Sequence, residues 1–533
     1  MLAHRVIRQR PRFVTGTRVR YQPLLPRPRF SSTEAKRTSS PSAISAGVVS
    51  FAAGLGAGWV LYRRGNGTSD ERGASQTNPV TGVSPSSSAA AATAITPTTA
   101  TTTTTAPDLD ELGLSDQIAY TKPPTSEDVT RQLNEHAFTV RGAPGGVDRY
   151  DGAQLASNSP CEDTYVHGSF SSPFDAAAGN KWLAWAVFDG HCGWQLSNLL
   201  KTQLMPFVRR SLADAKPAGD VSEDEDEAVQ RALKSSFTTL DDALVRSATA
   251  IIESDLPFPE KARRLEPAYA GACALLTLFD PRSRKLHVAS TGDCRAVLGQ
   301  KTADGKWAAT ALSEDCTGAT PSEAERIKAQ FPDEPDVVQG GRVWGLQPSR
   351  TFGDGMWKWT AALKKNLRYH FNGLSLPSQS RYKNYKDGPY VTAEPLVTTT
   401  QIPDPKEGRP SFVILATDGL WDTMSSEQAV DLVGRWYDRQ QQKQKGASSV
   451  AEPEPEKQAE DFGPTILGWR QQCKYEERKA TFRDDNAAVH LMRNGLGGAH
   501  EEMVRGALAF RYPNSRDIRD DITVQVVFFG PGR

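Results

Sequence analysis

WLAWAVFDGHCGW, residues 182–194, decides how this chain is read. An unbroken apolar, strand-like run ends at Asp189-Gly190-His191, so a carboxylate is delivered to a strand end. FVILAT (412–417) ends in the same way at Asp418-Gly419, and near the C-terminus a mirrored case has Asp520-Asp521 opening ITVQVVFF (522–529). Three carboxylates brought to strand ends from distant parts of the chain predict one oxygen-ligand metal site. Hard divalent cations take such oxygens, and two of them a few ångströms apart can activate water for attack on a phosphate. The predicted chemistry is metal-dependent phosphoester hydrolysis.

The chain has 533 residues and a formal net charge of +0. Length alone would allow two or three domains, but composition removes about the first 110 residues from any core and leaves one large domain. Balanced charge gives no global basic field, so nucleic acid is not expected as a partner. The cysteines (Cys161, Cys192, Cys273, Cys294, Cys316, Cys473) form no C-x-x-C pair, which disfavours a disulfide framework and a structural zinc. None has an arginine six positions on, the spacing a cysteine-based phosphatase loop requires. Free thiols are expected.

Residues 1–33 carry Arg5, Arg8, Arg10, Arg12, Arg18, Arg20, Arg27 and Arg29 with no acidic residue before Glu34, the composition of a mitochondrial transit peptide. The presequence is placed at 1–42. Ala43–Tyr62 is uncharged, closed by Arg63-Arg64, and at about 1.5 Å per residue long enough for a bilayer core of about 30 Å. It reads as a single membrane span, with a cleaved sorting signal as the alternative. Gly54 and Gly58 could let two such spans pack. Residues 63–110 are Ser/Thr/Pro-rich and bury too little to offset the entropy of ordering, hence a linker. The catalytic domain is expected over 111–533, with polar insertions near 214–228, which includes GDVSEDEDEA, and at 440–461.

After His191, Leu196, Leu199, Leu200, Leu204, Phe207 and Val208 fall at helical spacing, and Val229, Leu233, Phe237, Leu240 and Leu244 mark a second helix. CALLTLFD, a PRSR turn and KLHVAST then form a hairpin signature. Two consecutive helices between antiparallel strands predict an α+β domain with helices packed outside sheets.

Glu162-Asp163, VFDGH (187–191), GACA (271–274), STGDCRAVL (290–298), LQPSRTFGD (346–354), ILATDGLWD (414–422) and RDDITV (519–524) occur in that order. The series resembles the metal-dependent protein serine/threonine phosphatases of type 2C. PYVTAEP (389–395) and LSEDCTGATPSEAERIKAQFP (312–332) are similar to the pyruvate dehydrogenase phosphatase-like mitochondrial branch. The resemblance implies a central antiparallel β-sandwich flanked by helices on both sides, with the metal site at one end. It implies that Asp189 bridges two Mg²⁺ or Mn²⁺ ions, that the Gly190 carbonyl helps hold one, and that Asp418 and Asp520 complete the other. Asp293, with Asp418, would hold a third, weaker ion. Glu162 and Asp163 complete the catalytic group, Glu162 through coordinated water, and His191 is the candidate general acid. The expected partners are phosphorylated proteins, and the inner mitochondrial membrane through 43–62. Which side the domain faces stays open, as does a bearing on the pyruvate dehydrogenase complex.

Relatives often carry an arginine where this chain has Asn158, and a histidine where it has Cys316. A second reading is a catalytically weak phosphatase fold that binds phosphoproteins as a scaffold at the inner membrane. A third, an aspartyl-phosphate hydrolase, fails because SEDEDEA lacks a preceding apolar strand. Arg483-Asp484-Asp485-Asn486 also offers an acidic pair, but it runs into AAVHLMRN at helical spacing, so Asp485 and Asn486 read as a helix start and Asp520 is chosen. In a phosphothreonine-peptide assay, Asp520→Ala should therefore cost rate and metal affinity by orders of magnitude. Asp485→Ala should alter stability by about 1 kcal/mol at most; the reverse pattern would exchange the two assignments.

Overall fold

The computed structural model describes residues 124–174, 179–215, 224–371, 386–404, 409–445 and 474–530. The expected presequence, span and linker (1–110) lie outside these residues, as does 446–473, which takes in most of the second polar stretch. Among the described residues no helix is long and apolar enough to cross a membrane.

The strands, in chain order, are β1 (Phe138–Ala143), β2 (Val147–Leu155), β3 (Thr164–Ser171), β4 (Lys181–His191), β5 (Gly271–Asp280), β6 (Lys285–Thr291), β7 (Arg295–Lys301) and β8 (Trp307–Ala311). They continue with β9 (Val338–Gln339), β10 (Arg342–Val343), β11 (Phe352–Gly353), β12 (Leu396–Gln401), β13 (Ser411–Ala416) and β14 (Ile522–Phe529). One sheet has the order β1-β2-β14-β13-β7-β8, the other β12-β6-β5-β4-β3 with β11 paired to β5, and β9 and β10 form a separate short ribbon. Every pairing within the two sheets is antiparallel.

Alternation along β4 explains its unbroken apolar run. Leu183, Trp185 and Val187 point between the sheets, where they meet Leu275, Val288, Leu298, Val413, Leu415 and Val527. Ala184, Ala186 and Phe188 point the other way, onto Leu196, Leu200, Leu204, Leu233 and Phe237 of the helices Gln195–Asp214 and Glu225–Glu253. The first sheet is covered likewise: Phe412, Ile414, Val524 and Val526 pack on Val430, Val433, Trp436 and Leu491 of the helices Ser426–Gln444 and Ala487–Gly495. With both faces of each sheet dry, the central strands have no polar side to reveal a period of two. The result is the expected α+β architecture, helices outside two antiparallel sheets.

Two local elements differ from the sequence reading. The acidic run is not wholly an insertion: Asp224 caps the helix Glu225–Glu253, and Glu225, Asp226 and Glu227 form its first turn, where negative charge complements the helix dipole. Lys285 pairs with Asp226 at 2.7 Å and fastens that turn to β6. A third helix, Phe258–Tyr269, was hidden by its prolines; Pro259 sits in the first turn, where no amide is missed.

Asn486 caps the helix Ala487–Gly495, accepting from the amides of Ala488 and Val489, as its sequence suggests. Its neighbour Asp484 takes a bidentate grip from Arg493 at 2.8 to 3.1 Å, with the two residues 6% and 2% exposed. Removing one partner leaves a buried charge alone, so Asp484→Ala should lower unfolding free energy in a denaturant titration by about 3–5 kcal/mol. Enzyme that remains folded should keep its metal requirement.

Candidate functional site

The two sheets bring the chemistry to one end of the sandwich because their registers align the ends of particular strands. β4 ends at His191 opposite Gly271, the first residue of β5. β13 ends at Ala416, opposite Arg295 of β7 and Val524 of β14. Asp189, Asp418 after β13, Asp293 in the β6–β7 turn and Asp521 before β14 therefore converge.

Asp189, Asp293 and Asp418 each offer a carboxylate oxygen, and these oxygens lie within 4.8 Å of one another. Burial first, then the charges of Asp418, Asp163 and Asp293, push Asp189 well above the ordinary carboxylate range. Asp418 is raised in the same direction by burial and by Asp293 and Asp422. Asp163, 2% exposed, is pushed up to about 8 by burial and by Asp521, although the Thr417 hydroxyl donates to it at 2.9 Å. Like charges so close are tolerated only with protons or cations among them. The donor set is all oxygen and crowded, with Asp293 buried and Asp189 and Asp418 half-buried, which fits a hard divalent cation reachable from solvent.

Beside this group lies a second acidic network. Glu162 accepts from the Gly193 amide at 2.6 Å and from the Asn158 side chain at 3.0 Å, and burial raises its pKa. Asp521 accepts from the amides of Ser157, Asn158 and Glu162 and from the Asn158 side chain. Gly190 is required here by close approach, since a Cβ would overlap the Glu162 carbonyl oxygen. Asp520 stands at the rim, half-buried, with Oδ1 against Arg516 and the Asp521 amide. Of the carboxylates named from the sequence as metal ligands, the structure gathers Asp189, Asp293 and Asp418 into one cluster and places Asp520 outside it.

His191 faces Asp354, Nε2 to Oδ2, at 2.8 Å. Burial works against the imidazolium, yet the Asp354 carboxylate, with Asp293 and Glu162 beyond it, lifts His191 above its ordinary value. Asp354 is held by the Thr351 hydroxyl at 3.0 Å and by its own amide on the Ala270 carbonyl, with a left-handed φ of 50°. One level down, Asp241 receives the Gly353 amide at 2.8 Å and Lys358 at 2.7 Å, which fixes the turn that carries Asp354. The motif LQPSRTFGD gives no sign of a role for Asp354, because no apolar run leads into it. Asp521, Gln347, which donates to Asp293 at 3.0 Å, and the Cys273 thiol, at 3.2 Å from Asp293, were also missed. The described cysteines are free, as expected.

With this geometry in place, comparison with known proteins is decisive. Residues 156–462 match the family model of protein phosphatase 2C. The chain belongs to the protein phosphatase 2C family. A protein phosphatase 2C homolog of Schizosaccharomyces pombe is 38% identical over 76% of this chain and 86% of its own length. The mitochondrial pyruvate dehydrogenase (acetyl-transferring) phosphatase 1 of Saccharomyces cerevisiae is 32% identical over 74% of this chain and 71% of its own. Among solved structures, a serine-threonine phosphatase 2C from Toxoplasma gondii is 19% identical, with a TM-score of 0.40 over 74% of this chain and 99% of that one. This protein phosphatase 2C is thus a hydrolase acting on phosphoserine and phosphothreonine, of a family dependent on Mg²⁺ or Mn²⁺.

The His191–Asp354 contact leaves no room for a side chain at Gly271, whose Cβ would overlap both His191 Nε2 and Asp354 Oδ2. Gly271→Ala should therefore part the pair. Turnover should fall by about 10²-fold or more, the range expected for losing a general acid, which is the role the resemblance implies for His191. Because Asp354 is what raises His191, the alkaline limb of the rate profile should move to lower pH in the variant. Circular dichroism should show the sheet intact.

Proposed function

We propose that this phosphatase dephosphorylates serine and threonine residues of mitochondrial proteins, with Asp189, the Gly190 carbonyl, Asp418 and Asp520 as ligands of two divalent ions and Asp293 serving a third, weaker one. The observation that carries the proposal is the trio of carboxylate oxygens of Asp189, Asp293 and Asp418 within 4.8 Å. Ions bound there supply activated water and neutralise charge on the phosphoryl group. The chain's own residues do the rest. His191, whose pKa the Asp354 carboxylate raises, is the group placed to give a proton to the departing serine or threonine oxygen. Glu162, half-buried and fixed by the Gly193 amide, is the carboxylate that would act through water at this end of the sandwich, and Asp163, buried and held by the Thr417 hydroxyl, completes the group.

A mitochondrial setting is supported by the arginine-rich, acid-free residues 1–33 and by relatives named as mitochondrial phosphatases. The pyruvate dehydrogenase complex is the candidate substrate on the same ground, and 43–62 is the candidate tether to the inner membrane. Protease protection in intact against outer-membrane-ruptured mitochondria tests both compartment and side. Loss of the domain to protease in intact organelles would overturn the location.

Asp418→Asn tests the metal reading by two routes. Activity on a phosphothreonine peptide should vanish. Because repulsion among the carboxylates is relieved, the variant should melt higher than wild type in chelator, and added Mg²⁺ or Mn²⁺ should no longer raise its melting temperature. A metal-induced rise equal to that of wild type would remove Asp418 from the site.

A further inference from the structure

Outside the carboxylates, the charge that stands out at this end of the sandwich is a cation, Arg516. It belongs to the short turn of helix Ser515–Ile518 ahead of β14, and three contacts lace that segment to the loop after β2. The Ser515 hydroxyl donates to the Ser157 carbonyl at 2.6 Å, the Ser157 hydroxyl donates to the Arg519 carbonyl at 2.8 Å, and Arg519 Nη2 donates to the Ala156 carbonyl at 3.0 Å. Ser515, Ser157 and Arg519 are all buried, so Arg516 is held next to Asn158 and Glu162 by a fixed frame. Its own side chain keeps 38% exposure, and Asp520, its ion-pair partner, 25%. The side chain is thus partly open to solvent beside Asp520, while its charge reaches inward and favours the ionised forms of both Glu162 and Asp163.

Asn158 cannot supply such a charge. Its amide group is neutral and is spent on Glu162 and Asp521, each at 3.0 Å. A phosphomonoester dianion approaching a basin of carboxylates needs a cation from the chain to offset the remaining repulsion, and a guanidinium can give two parallel donors to one phosphoryl group.

We propose that Arg516 is the substrate-phosphate ligand of this enzyme, contributed by the segment before β14 and exchanging its pairing with Asp520 for the incoming phosphoryl oxygens. The assignment rests on the phosphatase reading above. Arg516 touches substrate in this account; the alternative is a positioning residue that only orients Asp520.

The test uses purified wild type, Arg516→Ala, Arg516→Lys and the double variant Asn158→Arg/Arg516→Ala. Each is assayed with p-nitrophenyl phosphate at saturating Mn²⁺, with three readouts: KM and kcat, the inhibition constant of inorganic phosphate, and the Mn²⁺ concentration for half-maximal activity. Arg516→Ala should raise KM and the phosphate inhibition constant together by about tenfold or more, with the Mn²⁺ requirement within about twofold of wild type. Arg516→Lys keeps the charge without the fork and should recover part of the loss. The double variant should regain phosphate affinity, because a guanidinium returns from the other side of the same frame. Unchanged phosphate inhibition in Arg516→Ala would overturn the assignment. A raised Mn²⁺ requirement with unchanged phosphate inhibition would do so too, and would make Arg516 a positioning residue for Asp520. A wild type without Mn²⁺-dependent hydrolysis would instead sink the phosphatase reading on which the assignment stands.

Discussion

Repulsion among Asp189, Asp293, Asp418 and their neighbour Asp163 is the constraint around which the domain is built. Carboxylate oxygens within 4.8 Å of one another strain any scaffold that holds them, as the upward shifts of Asp163, Asp189 and Asp418 register. A loop could relax away from such a cluster. Here each acid is fixed to a strand end or a tight turn between strands whose other residues are committed to dry layers on both faces, so retreat would uncover core. The apolar layers supply the free energy that keeps the charges together, and binding a divalent cation returns part of it.

Much of this was legible because the central strands are dry on both sides. WLAWAVF, FVILAT and ITVQVVFF stand out as runs, and the residue at the edge of a run is the one that leaves the core; Asp189 and Asp418 are found by that rule alone. Asp293 has no run of that kind behind its turn and came only through resemblance. Asp354 follows the two-residue strand β11 and takes a left-handed backbone, features that leave no periodic trace. Gly271 opens a strand, and its need to lack a side chain depends on His191 and Asp354, which are remote in sequence. The helix at Glu225 was obscured because an acidic run is ambiguous between solvated loop and dipole-matched first turn, and only the cap at Asp224 separates the two.

The stretches 312–332 and 346–354, which carry part of the resemblance, are tied together by a buried ion network. Glu323, 4% exposed, receives Arg350, Arg326 and the Ser349 hydroxyl at 2.6 to 3.1 Å, and this holds its pKa down to about 2 despite burial. Ser349 and Arg350 lead directly into Thr351 and Asp354, and Gln347 of the same stretch reaches Asp293. The polar network therefore connects the helix Pro321–Gln330 to both the His191 partner and the carboxylate cluster. Its strength lies in full satisfaction of every charge, since a half-satisfied network at that depth would be worse than an apolar one.

The adjacent pair Asp520-Asp521 shows how far function depends on strand register. β14 pairs with β2 from Ile522 opposite Leu155, so the residues just before β14 and just after β2 leave neighbouring strands together. Asp521 then meets the amides of Ser157, Asn158 and Glu162, while Asp520, one residue earlier, turns to Arg516. A slip of one residue would exchange the two acids and reverse every side chain of β14. Two features forbid it. Val524, Val526 and Phe528 fill the helix-facing layer while Val527 and Phe529 fill the layer between sheets, so reversal would misplace both sets. Gln525, fully buried, crosses to the second sheet and donates to the Ala186 carbonyl at 2.8 Å. A polar residue in the middle of an apolar strand thus fixes the register at long range, and with it which of two neighbouring carboxylates faces the backbone cradle and which faces Arg516.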